Sequence, residues 1–506
     1  MTVPELRPWR AAGAALRPRL TRAARAARSR TWRYTAGAVT AGLALAAGVA
    51  TAAGPWDSTG QRTAERQRAV TAGRTGGADH GRGAAGPGAA RADGPRPAPS
   101  AAAVLAGLTG TAVRAQAAPG GKALAGVLGP LLDDPALGER RGAAVVDLTD
   151  GRRLYGRDAD LALTPASTTK IATAVAALGA LGPDHRLTTR TALEPGTGEV
   201  VLVGGGDPTL TARADRRGPA SLRVLADRTA AALKKRGKKS VTLSYDTTLY
   251  AGPPNHPIGV NENLAPVTAL MADEARTDAS TSGPAPRAAD PAAEAARAFA
   301  RLLGERGVKA SAPGPSKASK GADALAAVSS PPLSELVERM LTNSDNDLAE
   351  ALARHTALAG GKRADFTGGS AAIAARLKKL GLPLAGARFR DGSGLDRADR
   401  MSASLLTALL AKAADPDRPD LRPVLTGLPV AGFTGTLTSR YTDGAAGLVR
   451  AKTGTLTGVN TLAGTVVDTD GHALAFAFLT SGTTDPTTTQ TSLDHAATTL
   501  AECGCR

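Results

Sequence analysis

The chain has 506 residues, a hydrophobic share of 42%, an aromatic share of 3% and a formal net charge of +17. This length exceeds one ordinary domain and predicts two or three, with a core built mostly from Ala, Leu and Val. Of the net charge, +13 lies within residues 1–124, which leaves only +4 for residues 125–506. A nucleic-acid-binding surface on the folded part is therefore not expected, and no nucleic acid partner is predicted.

The amino-terminal end has the pattern of a membrane anchor. Residues 1–33 form a basic segment with nine arginines, and residues 34–54 follow without a single charge. About 20 apolar residues suffice to cross a bilayer, and the preceding arginines place this end in the cytoplasm. We expect an uncleaved single-pass helix in the cytoplasmic membrane, with the remaining chain outside. Ala50-Thr51-Ala52 also fits a cleavage site, and a secreted protein is the alternative.

Residues 55–120 have the composition of a disordered linker, and residues 501–506 that of a short tail. The linker is rich in Gly, Pro, Ala and Arg, and it has too few large apolar side chains to offset its chain entropy. The tail carries the two cysteines, Cys503 and Cys505, with no Cys or His cluster nearby to complete a metal site. We expect the folded part to span residues 121–500.

The first of three short motifs is Ser167-Thr-Thr-Lys170, at the start of a predicted helix. Thr164 is expected as the N-cap and Pro165 as the first helical residue. Residues three apart share a helix face, so Lys170 can reach the Ser167 hydroxyl and serve as its base. Burial and a neighbouring ammonium, for which Lys452 is the candidate, both lower a lysine pKa. A surface serine and lysine is the alternative for this motif alone.

The second motif, Ser344-Asp345-Asn346, separates two predicted helices. Side chains at such a junction can project into a cleft. Ser, Asp and Asn are also the preferred N-cap residues, so a plain helix cap is the alternative and the better explanation of this motif alone.

The third motif is Lys452-Thr453-Gly454, followed by Thr455. It is predicted on an edge strand, where an extended peptide can add as an extra strand. Gly454 is expected to clear space for the backbone of a substrate. An ordinary strand beside a turn is the alternative. Taken together and in this order, the three motifs predict a serine nucleophile that is activated without histidine.

The predicted elements are typical of an α/β (α+β) catalytic domain that is interrupted by a smaller module. A hairpin and the helix of the first motif come first, and two helices and three strands come last. The catalytic domain is therefore predicted in two parts, residues 121–190 and 330–500, around a module at 191–329. The basic run at 234–239 in this module is predicted to be a solvated loop, with an anionic-polymer contact as the alternative.

Other catalytic patterns are weak in this sequence. There is no Gly-x-Ser-x-Gly elbow and no His-Glu-x-x-His, and the six histidines show no metal-ligand spacing. Residues 204–208 lack the lysine of a phosphate-binding loop and are predicted to form a turn. Residues 391–395 are predicted to form a tight loop, in which Ser393 has no base nearby. No metal site is predicted.

With its motifs placed, the chain resembles the D-alanyl-D-alanine carboxypeptidases/endopeptidases of the class C low-molecular-mass penicillin-binding proteins, over roughly residues 121–500. The three motifs are shared with β-lactamases, but further stretches match sequence patterns of this family and occur in the same order along the chain. The matching stretches are Leu163-Thr-Pro-Ala-Ser167-Thr-Thr-Lys170, Gly204-Gly-Gly-Asp-Pro208, Ser344-Asp-Asn-Asp-Leu-Ala-Glu350, Asp391-Gly-Ser-Gly-Leu395, Leu428-Pro-Val-Ala-Gly432, Gly435-Thr-Leu437 and Lys452-Thr-Gly-Thr-Leu456.

The resemblance implies a penicillin-recognising transpeptidase/β-lactamase-like fold and a role for each site residue. Ser167 is implied as the nucleophile, Lys170 as its base, and Ser344 as a proton relay that Lys452 tunes electrostatically. Asn346 is implied to hold the substrate. The group implied to bind the terminal carboxylate or to line the substrate strand comprises Thr453, Gly454 and Thr455, and the backbone N–H groups of Ser167 and Thr455 are implied as the oxyanion hole.

The resemblance also implies the partners, which are peptidoglycan peptides ending in D-Ala-D-Ala and β-lactam antibiotics as covalent inhibitors. It implies no cofactor. The insertion between the first two motifs is shorter than in members with two inserted domains, so we expect one module or a reduced second one. A serine β-lactamase remains one alternative. A non-catalytic, membrane-tethered protein that binds β-lactams or peptidoglycan remains another.

Overall fold

The computed structural model describes residues 119–216, 218–311, 313–441 and 444–504. The predicted basic segment, the predicted membrane helix and nearly all of the predicted linker lie outside these ranges, as does Cys505. Within them, no helix combines the length and the apolar character needed to cross a membrane. The amino-terminal predictions therefore stay predictions.

The first part of the folded chain is a hairpin flanked by two helices. Helix α1 packs beside the hairpin, and the strands β1 and β2 turn through Gly151, whose φ of 73° suits a residue without a side chain. The hairpin that was predicted for the first part of the catalytic domain is therefore present. The bounds are α1 Gly121–Leu132, β1 Arg140–Asp147, β2 Arg153–Arg157 and α2 Thr169–Leu181.

The middle of the chain folds around a second sheet, in the strand order β8-β6-β4-β3-β9. Its own apolar core joins the strands to α3 and α4 through residues such as Leu202, Leu225 and Phe299. The first strand begins at Thr188, so this sheet starts before the predicted boundary at residue 191. The bounds are β3 Thr188–Leu193, β4 Val200–Val203, α3 Leu222–Lys235, β5 Ser240–Val241, β6 Leu243–Asp246, α4 Pro291–Glu305, β7 Lys309–Ala310, β8 Gly314–Pro315 and β9 Asp323–Ser329.

The last part supplies a group of helices, then three long strands and a closing helix. These helices surround α2, and the strands complete the first sheet. The bounds are α5 Leu333–Asn343, α6 Asn346–Ala359, α7 Phe366–Lys379, α8 Ala403–Ala414, α9 Pro423–Thr426, β10 Arg450–Leu456, β11 Val459–Val467, β12 Ala473–Ser481 and α10 Pro486–Glu502.

The first sheet joins both ends of the folded chain in the order β10-β11-β12-β1-β2, with every pair antiparallel. Successive side chains of a strand point to opposite faces, and both faces are covered here. Ala144 and Ala477 pack with α2, α6 and α8, whereas Val145 and Phe476 pack with α1 and α10. The small alanines on one face let α8 lie close to the sheet, and α2 packs against α8 in turn.

Candidate active site

The predicted nucleophile lies on a strained turn rather than inside a regular helix. Ser167 belongs to a 3-10 turn at Ala166–Thr168, and α2 begins only at Thr169. The prediction of Thr164 as N-cap was wrong, because its hydroxyl donates to the carbonyl of Arg397 at 3.2 Å. Ala166 has a φ of 48°, a left-handed conformation that costs a residue with a side chain about 1–3 kcal/mol.

Two glycines hold this turn by close backbone contact. A Cβ on Gly394 would lie 1.9 Å from the carbonyl oxygen of Ala166, and a Cβ on Gly454 would lie 2.7 Å from that of Pro165. Gly454 was predicted to make room for a substrate. In the structure its missing side chain lets the third motif pack against the turn that carries Ser167.

Lys170 is fully buried and hydrogen-bonded to three oxygens. Its Nζ lies 3.1 Å from Oγ of Ser167, 2.6 Å from Oδ1 of Asn346 and 2.7 Å from the carbonyl oxygen of Ser393. The predicted approach of Lys170 to Ser167 is present. The first and second motifs meet at this ammonium.

The pKa of Lys170 is lowered to about 8 because burial disfavours its charged form. The negative charges of Asp391 and Glu350 oppose this shift and keep it moderate. Lys452 is buried as well, and its pKa lies well below the ordinary lysine value through burial first and then through the charge of Lys170. Burial is thus the largest cause for both lysines, and the repulsion between them falls mainly on Lys452.

The second motif forms the junction between α5 and α6. Ser344 ends α5 in a left-handed conformation with φ 57°, and Asp345 caps α6 by accepting from the N–H of Leu348 at 3.0 Å. Asn346 bridges two parts of the chain, since its Oδ1 accepts from Lys170 and its Nδ2 donates to the carbonyl of Asn263 at 2.8 Å. The motif is therefore both a cap and a part of the cleft.

The Ser344 hydroxyl is half-buried and lines the cleft. Within the described ranges it makes no hydrogen bond.

The third motif lies on β10, at the edge of the first sheet. Its inner neighbour is β11, and on its outer side only Arg450 is bridged, to Val430, among the residues that the structure describes. Lys452 donates to the carbonyl of Thr453 at 2.7 Å and to no other predicted site residue within those ranges.

The two threonines of the third motif stay accessible from the cleft. The hydroxyl of Thr453 donates to that of Thr436 at 2.9 Å, and within the described ranges the Thr455 hydroxyl has one long contact, from Nε2 of Gln490 at 3.5 Å.

A cavity of about 470 Å³ lies between the second motif and β10. Ser167, Ser344, Asn346, Thr453 and Thr455 line it, whereas Lys170, Lys452 and Gly454 lie behind its walls. The remaining lining residues are Asn263, Arg276, Ser282, Gly283, Pro284, Arg287, Asn343, Asp345, Asp347, Leu395, Thr436, Arg440, Leu456 and Gln490.

The loop at 391–395 contacts Lys170, which was not predicted from the sequence, although the match of this stretch to the family was noted. Its Ser393 carbonyl holds Lys170, and Glu350 fixes the loop by accepting from the N–H groups of Gly392 at 2.9 Å and of Ser393 at 3.0 Å. Asp391 is bound in turn by Nε2 of His256 at 3.0 Å. The glycines predicted a tight loop, but a carbonyl acceptor carries no side-chain signal.

Two buried clusters have enough ligand atoms for a metal ion. In the first, His256 and Asp391 bind each other and Glu350 accepts from two backbone N–H groups. In the second, Arg276 and Arg287 neutralise Glu274 and Asp347. Both clusters are therefore explained by contacts within the protein, and the expected absence of a cofactor stays a prediction.

The sequence matches the family model of the D-Ala-D-Ala carboxypeptidase 3 (S13) family over residues 124–286 and 276–502. A carboxypeptidase from Mycobacterium tuberculosis is 36% identical over 81% of this chain and 90% of its own length. The carboxypeptidase DacB of Mycolicibacterium smegmatis is 37% identical over 76% of this chain and 85% of its own.

The fold is similar to that of penicillin-binding protein 4 from Haemophilus influenzae. The TM-score is 0.60 at 21% identity, over 72% of this chain and 97% of that one. A structure of the same protein in complex with a β-lactam gives a TM-score of 0.56 at 23% identity, over 73% and 97% of the two chains.

Ser167 and Lys170 are in hydrogen-bond contact, Ser344 lines the same cleft, and the family model matches most of the folded chain. These observations exclude the alternative that the three motifs are unrelated surface segments. The chain belongs to the D-Ala-D-Ala carboxypeptidase 3 (S13) family and is a serine-type DD-peptidase.

Proposed function

We propose that this enzyme cleaves peptidoglycan stem peptides at their terminal D-Ala-D-Ala bond, or at a cross-link to D-alanine, through an acyl-enzyme on Ser167. The observation that carries this proposal is the 3.1 Å contact between Nζ of Lys170 and Oγ of Ser167, in a site where burial lowers the lysine pKa to about 8. At neutral pH about a tenth of such a lysine is uncharged and able to accept a proton.

In the acylation step, Ser167 attacks the carbonyl between the two D-alanines while Lys170 takes its proton. The backbone N–H groups of Ser167 and Thr455 stabilise the oxyanion. Asn346, which is tied to Lys170 at 2.6 Å, orients the base and contacts the amide of the substrate. The left-handed Ala166 fixes the nucleophile beside the cleft before substrate arrives.

The leaving amine needs a proton, and Ser344 relays one to it across the cleft. Support for this role comes from its position on the cavity wall and from a hydroxyl that is not committed to a bond within the described residues. Lys452, buried behind β10, tunes this transfer electrostatically. Water then releases the acyl group from Ser167.

The substrate lies along β10, whose outer edge has no backbone partner beyond Ala451 among the described residues. An extended peptide can add there as a further strand, with Thr453 and Thr455 binding its terminal carboxylate. Because a β-lactam mimics the D-alanyl dipeptide, we expect it to acylate Ser167 and to block the site. The relative that was solved with a β-lactam supports this expectation.

We further propose that the enzyme works outside the cytoplasm, held at the cell membrane by residues 34–54 or released after cleavage of that segment. Peptidoglycan is built there, which agrees with the substrate. A fractionation of cells, followed by sequencing of the mature amino terminus, distinguishes the two outcomes.

Mass spectrometry of the full-length protein after incubation with benzylpenicillin tests the proposed nucleophile. We expect a stable adduct on the peptide that contains Ser167 and release of D-alanine from a peptide ending in D-Ala-D-Ala. The Ser167→Ala variant loses both, with hydrolysis lowered at least about 10⁴-fold. Ser334→Ala, at the end of α5 opposite to the cavity-lining Asn343 and Ser344, serves as the matched control and keeps both.

Three outcomes contradict the proposal in different ways. An unlabelled protein that releases no D-alanine contradicts the acyl-enzyme. A labelled protein that is idle on peptides favours the non-catalytic binding protein. Rapid loss of the penicilloyl group favours a β-lactamase. Cross-linked and uncross-linked muropeptides, supplied side by side, separate endopeptidase from carboxypeptidase action.

A further inference from the structure

One cationic side chain on the strand side of the cavity has no role in the mechanism above. Arg440 follows the 3-10 turn Gly435–Leu437 and lines the cavity together with Thr436, Thr453 and Thr455. Its side chain is 16% exposed. It is therefore mostly buried but still reaches the space where a substrate on β10 ends.

Arg440 is held in one orientation by an acidic partner. Its Nε donates to Oδ2 of Asp494 at 2.8 Å, and its Nη2 donates to Oδ1 at 2.5 Å, a bidentate pair with helix α10. Nη2 also makes a 3.4 Å contact with the carbonyl of Gln490. The third nitrogen, Nη1, has no hydrogen-bond partner among the described residues. A guanidinium fixed along one edge keeps donors available for a second anion.

The backbone around Arg440 is shaped for this position. Gly435 has a φ of 58°, and a Cβ there would lie 2.0 Å from the carbonyl oxygen of Thr342, just before the second motif. Tyr441 follows with a φ of 63° and is buried. Such conformations are costly and persist only where the surroundings enforce them. They bring Arg440 between the second and third motifs.

The other cations of the cleft are committed elsewhere. Lys452 is buried behind β10 and donates to a backbone carbonyl. Arg276 and Arg287 bind Glu274 and Asp347 on the opposite side of the cavity. Thr453 and Thr455 offer only neutral hydroxyls. Arg440 is thus the cation among the residues lining the strand side, and its charge also contributes to the lowered pKa of Lys452.

We propose that Arg440 recognises the free carboxylate of the leaving D-amino acid, beside Thr453 and Thr455, and so makes a terminal α-carboxylate a requirement for efficient cleavage. This inference rests on the proposed function. It defines the substrate class as acyl donors whose leaving group is an anion, whether that group is D-alanine or the cross-linked D-centre of a neighbouring stem peptide. Asp494 acts as a positioning residue for Arg440.

Two thioesters of the same acyl-D-alanine test the proposal, one with thioglycolate as the leaving group and one with its neutral amide. Both are reactive enough to be hydrolysed without a carboxylate contact. Ser167 forms the new ester, and the C–S bond breaks to release the thiolate. We expect Arg440→Gln to lower kcat/KM for the anionic thioester about 10- to 100-fold, and to change that for the neutral one less than about threefold.

The controls separate this role from a structural one. Arg418→Gln removes an arginine in a bidentate pair with Asp420 that does not line the cavity, and it should leave the ratio between the two thioesters unchanged. Arg440→Lys should restore part of the preference, and Asp494→Asn should lose part of it. Hydrolysis of the neutral thioester shows that each variant is folded.

Equal loss on both thioesters in Arg440→Gln overturns the inference, because an arginine that only ties α10 to the cleft affects all substrates alike. Wild-type enzyme that hydrolyses both thioesters equally well also overturns it. If wild-type enzyme acylates with neither thioester, the proposed function itself fails, and the two failures are thereby distinguished.

Discussion

The two walls of the cleft are built in opposite ways. The helix wall holds Lys170 by three oxygen acceptors inside a shell of buried carboxylates. The strand wall, at Thr453 and Thr455, has few partners among the described residues, and its outer edge carries no backbone partner there. A proton acceptor needs a fixed geometry and a tuned pKa, whereas a binding strand needs groups that are still free. The difference agrees with the proposed function, in which the helix wall performs the chemistry and the strand wall receives the substrate.

Replacing Lys170, the proposed base on the helix wall, should cause the largest loss of activity. We expect Lys170→Met to lower the rate of acylation about 10²- to 10⁴-fold, because no other side chain lies within hydrogen-bond distance of the Ser167 hydroxyl in the described residues. Stopped-flow measurement with a chromogenic β-lactam gives this rate. Lys412→Met, which removes a half-buried surface lysine paired with Asp415, should leave it unchanged. A rate within fivefold of wild type in Lys170→Met contradicts the assignment.

The tuned pKa of Lys170 should appear in the pH profile. Only the neutral amine accepts a proton, so the acylation rate should rise about tenfold between pH 7 and pH 9 and then level off, as expected for a pKa of about 8. The rate is measured at constant ionic strength with a substrate that does not itself titrate.

The Asp391→Asn variant tests the same pKa in a second way. Asp391 contributes most to keeping the pKa of Lys170 from falling further, so its neutralisation should move the rising limb to lower pH. A profile that is flat from pH 7 to pH 9, or a limb that moves to higher pH in the variant, contradicts the role of Lys170 as base.

The smallest effect is expected on the strand wall. Thr453→Val keeps the shape of the side chain but removes its hydroxyl, and one hydrogen bond to a charged carboxylate contributes about 1.5 kcal/mol at the lower end of its range. We expect KM for a D-Ala-D-Ala peptide to rise about tenfold with little change in kcat. Thr465→Val on the neighbouring strand does not touch the cavity and is the matched control. A fall in kcat alone would assign Thr453 to chemistry instead.

The sequence predicted those parts of the site that depend on local spacing and missed those that depend on packing. The three-residue spacing of Ser167 and Lys170 was enough to expect their contact, and the third motif lies on an edge strand as predicted. The strained Ala166 was missed, because its conformation is imposed by Gly394 from a distant loop. Pro165 alone favoured an ordinary helix start.

The environment of Lys170 shows the same limit. Its lowered pKa was expected from burial, but the carbonyl of Ser393 and the carboxylates of Glu350 and Asp391 reach it only through tertiary structure. His256 comes from the predicted module, far from the motifs in sequence, and no spacing rule connects it to Asp391. Long-range partners of this kind are determined by the fold, and no local sequence pattern predicts them.

The pairing of β1 with β12 has a consequence for how the enzyme is made. Arg140 of β1 pairs with Ser481 of β12, and more than 300 residues separate the two. The first strand of the sheet can therefore pair with β12 only after those residues have been synthesised. Contacts that are so distant along the chain form late and slowly. Until the final strands emerge, the nucleophile and the strand that receives the substrate belong to unfinished halves. A chain that ends before β10 therefore lacks one wall of the cleft.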